Sequence, residues 1–259
     1  MENFIYFSRQ NNVTPRMHSI IKKELHQFFS SLTGYITIAL FLLVTAFIIF
    51  FLKDSNIFDY GYASLDQFFQ IAPWIFIFLI PALVMRSYAD EYRTGTFELL
   101  QTKPLTQWDI VAGKYFAVLA VILIALLPTI LYVVTISVLS SQGGIDTGGI
   151  LGSYLGLFFL SAVFAAICLF CSALTSNAVI SYLAGAFMCV LLYFGFTAIS
   201  QLPVFTGGAD YYLEMAGIDF HYRSISRGVV DTRDIIYFIS IIYLFLLLTR
   251  KVSIRERTQ

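Results

Sequence analysis

Charged side chains are scarce in this sequence. Asp, Glu, Lys and Arg make up 12% of its 259 residues and hydrophobic residues 58%, where soluble domains carry about 25% charge and roughly 45–50% apolar residues. That shortage excludes a soluble enzyme and a disordered chain. Neither sign is in excess, since 16 basic and 16 acidic residues give a net charge of 0. Without a basic stripe that survives competing salt, no nucleic acid is expected as a partner. Cysteine is nearly absent, and Cys168, Cys171 and Cys189 all lie inside apolar runs, which argues against a secreted disulfide framework. The histidines, His18, His26 and His221, are dispersed outside those runs. Neither H-E-x-x-H nor G-x-S-x-G occurs, so an intramembrane hydrolase has no support. Gly113-Lys114 is followed by Tyr115 and lacks the upstream glycine of a phosphate-binding loop, so nucleotide chemistry belongs to another polypeptide. The chain is expected to be non-catalytic and to bind no cofactor or metal itself.

Long apolar runs are what the sequence does contain. Stretches free of Asp, Glu, Lys, Arg and His cover residues 34–52, 68–85, 115–138, 150–172, 178–199 and 235–249. At about 1.5 Å per residue, roughly 20 residues cross a bilayer core of about 30 Å. Five runs suffice, and the sixth is extended back to Val229, which puts Asp231 and Asp234 at headgroup level. The fold expected is all-α, a single polytopic domain over residues 1–259. Its parts are an N-terminal extension (1–16), an interfacial helix (17–32), six membrane helices (34–249) and a basic tail (250–259). The first run is no cleaved signal peptide, since 33 residues precede it and it exceeds the usual apolar core of about 7–15 residues.

Basic residues favour the cytoplasmic side. With both termini inside, that side holds twelve of the 16 Lys and Arg: Arg9, Arg16, Lys22, Lys23, Arg86, Arg93, Lys103, Lys114, Arg250, Lys251, Arg255 and Arg257. The outer side keeps Lys53, Arg223, Arg227 and Arg233. Met17, Ile20, Ile21, Leu25, Phe28, Phe29 and Leu32 recur at three- and four-residue spacing, with His18, Lys22, Lys23, Glu24 and Gln27 between them. This reads as a helix lying in the inner interface, with an ordinary amphipathic helix as the alternative. Residues 200–234 form a long outer connection whose Tyr211, Tyr212, Phe220 and Tyr222 suit interfacial helices. A lid and a docking surface are both open roles for it.

The polar elbow of residues 86–114 is structured. Thr106 and Asp109 fit the N-cap and third position of a capping box, with Leu105 and Ile110 as its hydrophobic staple, so a helix starts at Thr106. Pro104 stops what precedes it and Gly95 marks a break, leaving residues 96–102 as a short helix between two corners. Phe97, Leu99 and Leu100, flanked by Glu91, Arg93, Glu98 and Lys103, read as exposed apolar residues suited to a partner's groove. A loop packed on its own domain is the other reading.

The run of Glu91, Arg93, Gly95, Thr96, Glu98, Leu99, Leu100, Pro104, Gly113 and Lys114, preceded by IPALVMR, resembles the region between spans two and three of ABC-2 type transporter permeases. Further segments, KKELHQFFSSLTGY, DYGYASLDQFFQIAPW, SALTSN and SRGVVDTRDIIYF, are similar to the gliding-motility-associated permease subunits of Bacteroidota. The resemblance implies a multi-pass subunit of the bacterial cytoplasmic membrane, paired with a second permease or auxiliary membrane subunit. It also implies a cytoplasmic ABC ATPase that binds ATP and Mg. Residues 96–102 are then the coupling helix, with Glu91 at its approach, Gly95 at its entry and Pro104 at its exit. Thr175, Ser176 and Asn177, in the short loop 174–177, lie near the same ATPase.

Two other functions stay open: a structural or mechanotransmitting subunit that moves no cargo, and an ion-coupled carrier. The spans lack ionisable residues other than Cys and Tyr, which counts against the carrier, although carbonyls at helix breaks can hold ions. Cys168-x-x-Cys171 reads as buried filler or as a soft-metal or redox pair. Pro73, Pro81 and Pro128 read as packing kinks or as breaks lining a path.

Overall fold

The computed structural model describes residues 13–52, 64–102, 104–140, 146–204 and 208–255. Lys53, Lys103, Arg257, residues 1–12 of the extension, the outer segment 53–63 and the end of the tail lie outside them. Among the described residues all regular structure is helical. Helix α1 (Val13–Ser30) turns Ile20 into the interior and half-buries Ile21, Leu25, Phe28 and Phe29. Ser31 is extended, and α2 (Leu32–Phe51) starts the first span immediately after it.

Helix α3 (Asp66–Val84) keeps Pro73 and Pro81 within one helix. The elbow then forms α4 (Ala89–Thr94) and α5 (Thr96–Gln101), followed by α6 (Gln107–Leu126). Pro128 breaks this span: a 3-10 turn, Leu127–Thr129, separates α6 from α7 (Ile130–Leu139), and Thr129 Oγ1 donates to Leu126 O at 2.6 Å. The remaining elements are α8 (Thr147–Ala173), α9 (Ala178–Ser200), α10 (Ala209–Met215), α11 (Ile218–Ile225) and α12 (Thr232–Arg255).

Six of these stretches are long and apolar enough to cross a membrane, so the chain is a multi-pass membrane protein. Helix α8 is the hub, packed on α3, α6, α9 and α12. Its buried face carries Gly152, Gly156, Ser161, Ala162, Ala165, Ala166 and Ala173. Small residues let helix backbones approach closely where no water-driven hydrophobic effect pulls helices together. Ser253 Oγ, near the end of α12, donates to Gln107 Oε1 at the start of α6, 3.2 Å away. Helix α1, the elbow and the end of α12 thus share one end of the bundle; α10 and α11 occupy the other.

Candidate functional site

The elbow takes its shape from local chemistry. Thr106 Oγ1 accepts from the Asp109 backbone N–H at 3.2 Å, and Asp109 Oδ2 accepts from the Thr106 backbone N–H at 2.9 Å, which completes the capping box. Gly95 sits at φ +70°, left-handed backbone that an L side chain resists, and so lets α5 turn sharply off α4. Above the corner the Thr94 and Thr96 hydroxyls bond each other at 2.9 Å.

Two of the three apolar elbow residues do not face outward. Phe97 is 4% exposed, set edge-on to Tyr92 at 4.9 Å and to Tyr88 at 6.0 Å, and Leu100 is buried as well. A six-residue helix must cover one face to be stable, and this one covers its own. Only Leu99, 64% exposed, remains available to a partner, beside the exposed Glu98, Arg93 and Pro104. A groove of about 470 Å³ runs beside it, lined in part by Lys23, Gln27, Glu91, Arg93, Thr96 and Leu99.

Behind that groove lies a buried charge cluster that the sequence reading missed. Lys114 Nζ is 3.0 Å from Glu24 Oε1 and 3.0 Å from Glu91 Oε2, and donates to the Ser87 carbonyl at 2.7 Å. The contact with Glu91 Oε2 is an ion pair off the line of a hydrogen bond. Lys23 closes the cluster from the solvent side, 2.6 Å from Glu91 Oε1 and 3.4 Å from Glu24. Lys114 also sits over the Tyr88 ring at 4.9 Å. Two lysines thus balance two glutamates drawn from α1, α4 and α6. Glu24, expected on the polar side of α1, is therefore interior, as is Glu91, expected merely near the approach to the short helix.

Packing brings these charges together. At Gly113 a Cβ would lie 2.6 Å from Ile20 Cγ2, so α1 and α6 approach as closely as they do because residue 113 has no side chain. Ser172, at the end of α8, anchors the other side. Its Oγ accepts from the Tyr88 N–H at 3.0 Å and donates to the Met85 carbonyl at 3.2 Å. The adjoining loop forms local bonds: Thr175 Oγ1 accepts from the Asn177 N–H, and Asn177 Oδ1 caps α9 through the Val179 N–H at 2.9 Å. Ser176 is exposed.

Elsewhere the close thiols are Cys168 and Cys189, with Sγ atoms 3.8 Å apart across α8 and α9; all three cysteines are free and buried. Among the described residues no His, Cys, Asp and Glu group is placed to hold a metal. At the opposite end Asp234 is buried within the protein, paired with His221 at 2.6 Å. Tyr222 is interior too, its hydroxyl donating to the Phe69 carbonyl at 2.6 Å, whereas Tyr211 and Tyr212 are exposed.

A family model described as ABC-2 family transporter protein matches residues 18–211, which takes in α1, the elbow, five spans and the start of α10. No curated protein matches the sequence.

Proposed function

Because the chain belongs to the ABC-2 transporter family, we propose that it is the membrane-spanning permease through which a separate cytoplasmic ATPase drives export or conformational work. In this reading the membrane is the bacterial inner membrane, the system is one of gliding motility, and a second permease completes the pore. ATP and Mg sit on the ATPase. The elbow end faces the cytoplasm, and Leu99 with the groove beside it receives the ATPase. The observation that carries the proposal is the buried cluster of Glu24, Glu91 and Lys114 directly behind that surface.

A push on α5 reaches α4 through the Gly95 corner and moves Glu91. Parting Glu91 from Lys114 separates opposite charges in a poorly solvated site, leaving Glu91 with Lys23 alone and Lys114 with Glu24, at a cost below the roughly 3–5 kcal/mol of losing a buried partner outright. The less costly response is for Lys114 to follow, carrying α6 and, through Glu24, α1. The cluster thereby converts motion of a six-residue helix into tilt of the third span and its interfacial partner.

The test is reconstitution with the partner ATPase. A cysteine at Leu99 crosslinks to that ATPase, and Glu91→Gln keeps the complex assembled while lowering the ATPase stimulation that assembly gives. An ATPase that assembles and is stimulated normally with Glu91→Gln, and that never crosslinks at Leu99, overturns the proposal.

A further inference from the structure

The opposite end of the molecule holds a second buried ionisable pair, which the coupling scheme leaves unused. His221, on α11, places Nδ1 2.6 Å from Asp234 Oδ1 in the first turn of α12, and Nε2 2.9 Å from the Met215 carbonyl at the end of α10. His221 is 4% exposed and Asp234 5%. We infer that this pair is a proton-binding site whose occupancy latches α10 and α11 onto the start of the sixth span.

The argument is a proton count. A carbonyl oxygen only accepts, so Nε2 must carry a hydrogen. A neutral imidazole has no second hydrogen, and its bare Nδ1 would then point a lone pair at a carboxylate oxygen 2.6 Å away. One proton therefore lies between Nδ1 and Oδ1, as imidazolium with carboxylate or as imidazole with carboxylic acid, and the pair is neutral in both forms. The position of Asp234 at the N-terminus of α12 favours the carboxylate with imidazolium. Removal of that proton leaves a net negative charge in the interior.

Among the described residues nothing nearby is placed to replace it. Asp234 Oδ2 is buried and has no hydrogen-bond partner among the described residues. On α12, Tyr237 stacks on the imidazole at 3.8 Å and spends its hydroxyl on the Ala216 carbonyl at 2.6 Å. On α10 and α11, Arg223 is taken by Glu214 at 2.8 Å and Asp219 at 2.7 Å. Asp231, just before α12, and Arg233, in its first turn, are exposed. Helix α8 contributes Ser153, whose hydroxyl donates to the Ser226 carbonyl at 2.7 Å, and α9 contributes Tyr193, in ring contact with Tyr222. The proton thus joins three elements, alongside the bond from Tyr237 to the Ala216 carbonyl, and a cavity of about 620 Å³ lined by Trp74, Phe194, Glu214, Asp219 and Arg223 lies against α10 and α11. The latch holds while that one proton is shared and opens when it is removed.

Hydrogen exchange of residues 209–228, corrected for intrinsic exchange, tests this on the full chain in nanodiscs. In the wild type the segment exchanges on the order of a hundredfold faster once the proton is lost at high pH, as expected for breaking a buried charge pair. Asp234→Asn supplies the discriminating arm. Its amide donates to the bare Nδ1 of a neutral His221, so the contact survives without the extra proton and protection becomes independent of pH. Nitrogen-15 shifts of His221 in the wild type should show both ring nitrogens engaged with hydrogen. A singly protonated His221 beside an ionised Asp234 in the protected state overturns the inference. So does an Asp234→Asn protein whose protection depends on pH as in the wild type.

Discussion

Glu24 and Lys114, 90 positions apart in the chain, meet at 3.0 Å between Oε1 and Nζ, with Lys114 only 1% exposed. An ion pair this enclosed gains little over a well-packed apolar pair, but losing one member is costly because the other stays behind, charged and unsolvated. Glu24→Ala and Lys114→Ala should each destabilise the protein by about 3–5 kcal/mol. Of the two, Glu24→Ala should be the milder, since Lys114 keeps Glu91 and the Ser87 carbonyl. Thermal unfolding in detergent measures both; equal wild-type stability would mean the cluster is open to water.

The α1–α6 contact makes a separate, steric prediction. A methyl group at residue 113 would come within 2.6 Å of Ile20 Cγ2 and 2.8 Å of its Cβ, atoms next to the backbone that cannot swing away. Gly113→Ala should cost about 1–3 kcal/mol and loosen α1, detectable as proteolysis within residues 13–30. Ile20→Ala in the same chain removes the Cγ2 clash but keeps Cβ at 2.8 Å, so it should restore part of the protection. If the second change adds to the damage, the two helices are not in the contact described.

The spans and the elbow corners were legible because each has a local cause: apolar runs of bilayer length, a capping box at Thr106 and Asp109, a glycine at φ +70°. Long-range pairing has no such local signature. Still, a trace of the cluster is in the pattern, since Glu24 falls four residues from both Ile20 and Phe28, and Lys114 four from both Ile110 and Val118. A charge in register with an apolar stripe has to find a partner or stay out of the fold. Sorting α1 by polarity rather than by register leaves Glu24 outside. For Phe97 and Leu100 spacing allows both an exposed and a self-packed loop, and the structure buries them. Phe97 is covered by Tyr88 and Tyr92, and a tyrosine's place in a short polar stretch cannot be read from spacing.

Sidedness is checked by labelling. Cys168, Cys171 and Cys189 are all buried, so the native background should stay dark to an impermeant maleimide. A cysteine at Asp210 should label from outside in intact cells, and one at Thr102 only after the membrane is permeabilised. The reverse order would invert the assignment of the elbow to the cytoplasm.

Elbow truncations should separate by face. Leu99→Ala should leave stability unchanged and weaken ATPase binding by about 1–3 kcal/mol, mostly through faster dissociation. Phe97→Ala empties a packed site instead and should cost about 3–5 kcal/mol of stability. Affinity measured beside unfolding temperature distinguishes them. Equal loss of affinity in both, with stability intact, would mean Phe97 leaves its pocket to bind.

Asp219 supplies the pH prediction. Burial lifts its carboxyl above the usual carboxylate range, and Arg223 beside it pulls the other way without cancelling the effect. With the folded value above the unfolded one, its contribution to stability is fully present below about pH 3.9 and lost as the pH rises through the folded value. At neutral pH the ionised side chain is therefore a net burden, and Asp219→Asn, which mimics the protonated form, should raise the unfolding temperature. The gain should shrink steadily as the pH falls toward about 4, where the native side chain is itself protonated. A lower unfolding temperature for Asp219→Asn at neutral pH would mean that its contacts with Arg223, at 2.7 Å, and Thr197, at 3.5 Å, outweigh desolvation.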